Sequence, residues 1–479
     1  MDLTPEYIKK NLEKIGDKAA RDMLKQWIIN SDDRVLRKSA LNLYSFIDDQ
    51  KQFRFLEQLF LSDEDINIRT LSGNILRDKY SHNKKFVSLL EFTVNNVNDV
   101  DQKLFAVELL NLKDTKKSRK IIKDYLKKII KLSFESRLID FSEGILNFDL
   151  DISIQPKILE ICFNLVLYSY YINVCGFSVT LRDNLIILLN CEGSQLESIE
   201  EIKGFGRLSK LEHLFLQRNN FQKICGLNHL RQLKTLNLSQ NRINYISNLD
   251  DLINLEELNL SSNRIKKIEN LNIVKLKKLT LDRNLITEIE NLDKLANLEH
   301  LNLSYNDISK LKNLNRLRQL KSLYLSINNV ETISGLEKLE NLTTLYLNGN
   351  QISQICGLGS LVSLKVLNLS DNLIAKIMNI EKLDNLIKLE LSNNKIDSLN
   401  GLENLLKLQE LFVDKNRIKN FEGIKNLKRL IILFLENNNI EDFKLSYIDS
   451  LTNLNFIFLN QNPLTPESWD TYQKRTRYP

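Results

Sequence analysis

The residues that could carry catalysis or hold a metal are few, and their spacing serves neither purpose. The chain has four histidines in 479 residues, and no H-E-x-x-H sets two of them on one helix face around a zinc ion. No G-x-x-x-x-G-K-[ST] loop cradles a phosphate, and no G-x-S-x-G lifts a nucleophilic serine onto a strained turn. Gly204-Phe205-Gly206 lacks the third glycine of a dinucleotide-binding turn. The five cysteines, Cys162, Cys175, Cys191, Cys225 and Cys356, show no C-x-x-C spacing. An odd, dispersed set reads as reduced thiols, and so as a cytoplasmic protein. No catalytic residue, cofactor or metal is expected, and the chain is not expected to be an enzyme.

The chemistry that remains is recognition. Tyr324, Tyr346, Phe412, Ile431, Ile432, Phe434, Phe456 and Phe458 recur at fixed offsets within a repeated phrase, L-x-x-L-x-L-x-x-N-x-I. Its Asn stands at 219, 241, 263, 284, 306, 328, 350, 372, 394, 416, 438 and 462, at steps of 22 with one step of 21 and a last step of 24. A fixed period in this range means a solenoid. The last two Leu of each phrase alternate, so they point to one face of a short strand and the residues between them to the other. One coil cannot bury its apolar edge alone, so coils stack and share a core. Of the 36 Leu positions 34 are Leu, the exceptions being Val413 and Ile457. At about 2 kcal/mol per buried aliphatic side chain this column is the main stabilising term. The Asn amide both donates and accepts, and so can satisfy turn groups otherwise buried unpaired.

This phrase resembles the 22-residue class of leucine-rich repeats, found in the protein phosphatase 1 regulatory-subunit family and in bacterial internalins. The likeness covers residues 185–464. It implies an α/β solenoid with a concave parallel sheet, a partner protein on that face, and regulation of an enzyme such as a phosphatase as one role. The repeat motif fixes no binding residue, so none is carried over.

Ahead of the solenoid, residues 1 to about 150 read as helices. Asp33-Arg34-Val35-Leu36-Arg37 with Ala40 is followed 32 residues later by Asp65-Ile66-Asn67-Ile68-Arg69 with Ser72, and a looser copy starts at Asp101. This is similar to HEAT-type helical repeats, in which Asp and Arg link neighbouring repeats, and implies an all-α helical-repeat domain over residues 1–183 before a solenoid over 184–479. Residues 113–131 read as an amphipathic helix with a basic outer face, carrying Lys117, Lys120, Lys127 and Lys128 around Ile121, Ile122, Tyr125 and Leu126. That face supports an alternative role as a tether to a membrane surface or an acidic assembly. Residues 161–181 carry no charge but are interrupted by Asn164, Asn173 and three Tyr, and read as a buried helix leading into the first coil. Met1 to Ile15 lacks the apolar run of a signal peptide. The balance of 67 basic and 61 acidic residues gives no reason to expect nucleic acid, and a monomer is expected.

Outward strand positions separate the two ends of the solenoid. Glu212, Lys234, Glu256, Lys277, Glu299 and Lys321 alternate in sign on successive strands, which sets opposite charges side by side. Toward the C-terminus that pattern stops, and the eight apolar and aromatic residues named above gather where solvent should be. Exposed apolar clusters mark interaction sites, and aromatic residues are favoured anchors. Against this stands a capping role, in which the tail from Pro466 to Pro479 covers Phe456 and Phe458. The L-N-L-S sequons at Asn237, Asn259, Asn302 and Asn368 read as by-products of the repeat.

Overall fold

The computed structural model describes residues 4–47, 51–134, 149 and 151–477. Part of the helical stretch expected up to residue 150, and the last two residues of the tail, lie outside these. The chain forms two compact units, the first made of residues 1–186 with 203–208, the second of 187–202 with 209–479.

The first unit contains helices α1 (Pro5–Lys10), α2 (Leu12–Ile15), α3 (Asp17–Asn30), α4 (Arg34–Phe46), α5 (Gln52–Ser62), α6 (Ile66–Tyr80), α7 (Lys84–Asn96), α8 (Val100–Lys113), α9 (Lys116–Phe134) and α10 (Pro156–Tyr170), followed by strand β1 (Ser178–Arg182). α3 packs on α4, α5 on α6 and α7 on α8, around buried residues such as Leu41, Leu56, Leu76, Leu90 and Leu104. The second helix of each pair starts at an aspartate whose carboxylate accepts first-turn backbone N–H groups: Asp33 for α4, Asp65 for α6 and Asp99 for α8. The third copy is therefore anchored at Asp99, not at Asp101. The sequence comparison missed it because the interval widens from 32 to 34 residues. Arg37 donates to Asp63 (2.5 Å) and Arg69 to Asp99 (3.2 Å), so each arginine reaches the turn between the two helices of the next pair.

The basic stretch is not one helix. Lys113 ends α8, Asp114 adopts a left-handed conformation (φ 43°), and α9 starts at Lys116. Within α9, Ile121, Ile122, Tyr125, Leu126, Ile129 and Ile130 are buried, whereas Lys117, Lys120, Lys127, Lys128 and Lys131 are exposed. α10 and the turn after it, to Cys175, are long and apolar enough to cross a membrane, yet half of that window is buried inside the protein. Ile161 through Tyr168 form the covered part, against α8 and α9.

In the second unit, β2 (Leu185–Asn190), β3 (His213–Phe215), β4 (Thr235–Asn237), β5 (Glu257–Asn259), β6 (Lys278–Thr280), β7 (His300–Asn302), β8 (Ser322–Tyr324), β9 (Thr344–Tyr346), β10 (Val366–Asn368), β11 (Lys388–Glu390), β12 (Glu410–Phe412), β13 (Ile432–Phe434) and β14 (Phe456–Phe458) lie in chain order in one sheet. Each pairs in parallel with the next, and the central leucines stay in register: Leu323 faces Leu345, and Leu258 faces Leu279 across the 21-residue step. Its missing residue is taken from the outer turns. The repeated Leu, with Val413, are at most 3% exposed and Ile457 is 5% exposed, which makes one continuous core.

The ladder of asparagines closes each coil onto the one before. The Asn306 amide donates to the carbonyls of Leu303 (3.0 Å) and Ser304 (3.2 Å) in its own coil and of Leu281 (3.0 Å) in the preceding one, and its oxygen accepts the N–H of Ile286 (3.0 Å). The same set recurs from Asn241 to Asn438. The residue before each ladder asparagine turns the backbone through the left-handed region, with φ between 52° and 68°. At the C-terminal end α11 (Pro466–Arg477) covers the last coil. The Tyr472 hydroxyl lies 3.3 Å from both the N–H of Leu459 and the carbonyl of Ile457, and Ser468 accepts the N–H of Phe443.

Candidate partner-binding face

The leucines on either side of each outward position are drawn into the core, so period-2 alternation sends the residue between them to the open face of the sheet. All eight sequence-predicted residues take up that position or a neighbouring strand position: none is in the core, seven are half-buried, and Phe456 is 52% exposed.

They form two groups. At the C-terminal end, Phe412, Phe434 and Phe458 stack across β12, β13 and β14, with ring centroids 4.9 Å and 4.2 Å apart and planes within 16° of parallel. Parallel register at the usual strand spacing of ~4.8 Å is what brings the rings to stacking distance. Ile432 and Phe456 flank this stack in direct register, and Ile431 precedes Ile432. The Lys388 ammonium sits 4.9 Å from the centre of the Phe412 ring and is held there by Glu390 (2.9 Å) and Glu410 (3.5 Å). In the middle coils, Tyr324 and Tyr346 face each other across β8 and β9 with centroids 5.3 Å apart. Burial pushes the Tyr346 phenol up, helped by the Glu390 carboxylate. α11 spends its aromatic side chains on the end of the core, where Tyr472 packs against Phe443 and Trp469 against Tyr472, leaving Phe456 open to solvent.

The charge ladder of the N-terminal strands resolves into three pairs, Glu212–Lys234 (2.9 Å), Glu256–Lys277 (2.8 Å) and Glu299–Lys321 (2.6 Å). The Lys277 hydrogen bond holds the Glu256 carboxyl below the usual range. Each glutamate is satisfied by the next strand's lysine, so that edge offers a partner little unmatched charge. The asparagines of the L-N-L-S phrases have a local function as well: Asn237, Asn259, Asn302 and Asn368 each accept the N–H of the serine two residues on. His213 and His300 begin β3 and β7, four strands and roughly 19 Å apart at ~4.8 Å per strand. Among the described residues no group of three or more His, Cys, Asp or Glu could hold a metal ion.

Two exposed residues escaped the sequence reading. Tyr305 and Ile327 occupy the left-handed position before Asn306 and Asn328, at φ 56° and 53°, and are 42% and 43% exposed. The guanidinium of Arg283 lies over the Tyr305 ring at 4.3 Å. A β-branched residue in this region is strained, by about 1–2 kcal/mol. Gly349 holds the same position one coil later, and a side chain there would meet Ile327 Cγ1 at 2.9 Å. Ile327 therefore lies over a glycine notch, three residues beyond Tyr324 and one coil from Tyr346.

The description "Leucine Rich repeats (2 copies)" matches residues 231–273 and 318–360, and "Leucine rich repeat" matches 253–308. Residues 185–464 form a leucine-rich-repeat solenoid. An internalin from Listeria monocytogenes is similar at 27% identity and a TM-score of 0.55, over 67% of this chain and 87% of its own. A leucine-rich-repeat protein of Leptospira interrogans is similar at 27% identity and 0.52, over 60% of this chain and 81% of its own. TLR13, solved in complex with a single-stranded RNA, is similar at 25% identity and 0.50, over 57% of this chain and 43% of its own. No curated protein matches the chain. Solenoids of this kind serve as interaction scaffolds, presenting an extended concave surface.

Proposed function

We propose that the chain is a non-catalytic adaptor that holds a partner protein on the open face of its sheet, through the Phe412–Phe434–Phe458 stack with Ile431, Ile432 and Phe456, and through the Tyr324–Tyr346 pair with Ile327 beside it. The observation that carries this reading is the stack itself. Three parallel rings with solvent-facing edges present rigid apolar area whose ordering has already been met by the fold. The N-terminal strands, with charges matched in pairs, act as a spacer. Lys388, framed by Glu390 and Glu410, supplies polar groups at the margin of the stack. The five scattered cysteines, without C-x-x-C spacing, fit a cytoplasmic setting. The resemblance to phosphatase regulatory subunits makes a phosphatase catalytic subunit the first partner to test.

Capture of partners from an extract of the source cells by the full chain, by Phe434→Asp combined with Tyr346→Ala, and by Ile327→Asn tests the reading. Asparagine tolerates the left-handed region, so Ile327→Asn should melt no lower than the parent. The double variant should lose the main partner, and Ile327→Asn should weaken its capture. Unchanged capture by the double variant, with unfolding temperature preserved, places the partner elsewhere. If the material retained in a stack-dependent way is RNA, the adaptor reading falls in favour of single-strand binding.

A further inference from the structure

A second candidate site lies within the helical unit. A cavity of about 460 Å³ opens among α7, α8, α9, α10 and the turn after α10, within the size range of small-ligand sites. Val94, Val100, Ile129 and Val166 supply apolar wall, and two lysines enter it, Lys103 from α8 and Lys128 from α9.

The repeat register of the unit explains why Lys103 is there. Arg37 and Arg69 stand four residues after the capping aspartates Asp33 and Asp65, and Lys103 stands four residues after Asp99. Arg37 and Arg69 each reach a carboxylate in the turn between the two helices of the next pair, Asp63 and Asp99. For Lys103 the corresponding turn precedes α10; there the matching positions, Gln155 and Ser153, carry no charge, and the nearby Asp151 is bound by Lys116 (2.9 Å). Asp99 is already bound by Arg69 and by Lys203 (2.9 Å). Lys103 is thus a ladder cation with no carboxylate to meet among the described residues. Burial, and the ammonium of Lys128, hold it below the usual lysine range.

An independent feature points the same way. Tyr125 lines the cavity and is only 7% exposed, yet its hydroxyl makes no hydrogen bond among the described residues. The hydroxyl is not among the buried polar atoms left without a partner, so it keeps access to solvent and is available as a donor to a ligand in the cavity. Two like charges and an unused donor converge on one half-apolar space, and a single anionic ligand would satisfy all three.

We infer that this cavity binds a small phosphate monoester, with the phosphate between Lys103 and Lys128, the Tyr125 hydroxyl donating to it, and the organic group against Val94, Val100 and Val166. A phosphate carries about −1.5 to −2 charge near pH 7 and so balances two ammonium groups where a carboxylate balances one. Lysine serves phosphate as a movable point charge, without the fixed bidentate geometry of arginine.

The probes are phenyl phosphate in solution and vesicles of phosphatidylcholine with and without phosphatidic acid, whose headgroup is the same phosphate monoester. Calorimetric titration and co-sedimentation would be run on the full chain, on Lys103→Met, on Lys128→Met and on Lys120→Met, an exposed lysine of α9 that does not line the cavity. Binding should weaken about tenfold or more in the first two variants, which corresponds to ~1.4 kcal/mol or more per charge removed, and stay at the parental value in Lys120→Met. Without ligand, Lys103→Met should melt no lower than the parent because a half-buried like-charge contact is gone, and the exposed Lys128→Met gives the same reading should the first variant misfold. A response to phenyl phosphate identifies a soluble ligand, and a Lys103-dependent response to phosphatidic acid alone identifies a lipid headgroup. No binding of either probe, affinity unchanged in Lys103→Met and Lys128→Met, or equal loss in Lys120→Met overturns the assignment.

Discussion

At the scale of single residues, the ladder asparagines carry more than the leucines alone can. A leucine column drives coils together without regard to direction, whereas one asparagine amide fixes the turn of its own coil and the distance to the previous one. Asn306 satisfies four backbone groups that the core would otherwise leave unpaired. Asn306→Ala should therefore cost about 3 kcal/mol in urea unfolding. Asn341→Ala, which removes one exposed hydrogen bond to the Arg318 carbonyl (2.9 Å), should cost under about 1 kcal/mol. Equal losses would mean that the ladder is not what holds the turns. The structural asparagines were legible from the sequence because few side chains both donate and accept, and because a 22-residue period isolates their position. The outward aromatic residues were legible for a similar reason, since strand alternation leaves no other side for them. Ile327 and Tyr305 were not. The left-handed position is imposed by the coil and is filled in turn by Arg218, Gln240, Ser262, Arg283, Tyr305, Ile327 and Gly349, so no residue type announces it.

At the scale of elements, the helical pairs and the strands show how far spacing can be trusted. The strands keep one register through a missing residue because the change falls in the outer turn, and period 22 could be read directly. The helical pairs have no column of identical residues to hold the count. Two residues added between Asp65 and Asp99 moved the apparent start of the third copy, and the Arg-to-Lys change at Lys103 removed the other landmark. What links the pairs is then a question for measurement. Arg69 reaches both the carbonyl of Asp63 (2.8 Å) and the carboxylate of Asp99 (3.2 Å) from a mostly buried position. Arg69→Met should destabilise the helical unit by about 2–3 kcal/mol, because it leaves a carbonyl and a shielded carboxylate short of a donor. Arg77→Met, which breaks only a solvent-exposed pair with the adjacent Asp78 (2.8 Å), should change stability by less than about 0.5 kcal/mol. Denaturation followed at Trp27, in α3, reads both. A loss for Arg69→Met no larger than for Arg77→Met would leave apolar packing as the sole link between pairs.

At the scale of the whole molecule, a solenoid is nearly one-dimensional: each coil is held by its neighbours, and stability falls off from a damaged end. α11 closes the C-terminal end by placing Tyr472 against Phe443, Leu459 and Ile457. A chain ending at Thr465 would expose that apolar surface while leaving every coil before it intact. Amide exchange in such a chain should accelerate in β14 and β13 and stay at the parental rate in β4 through β7. The Phe412–Phe434–Phe458 stack belongs to the affected strands and the Tyr324–Tyr346 pair does not, so partner capture should lose its stack-dependent part while the tyrosine-dependent part survives. Acceleration spread evenly from β3 to β14 would show instead that the array opens as one cooperative block. In that case the cap would act on the face as a whole, and the two aromatic groups could not be separated by truncation.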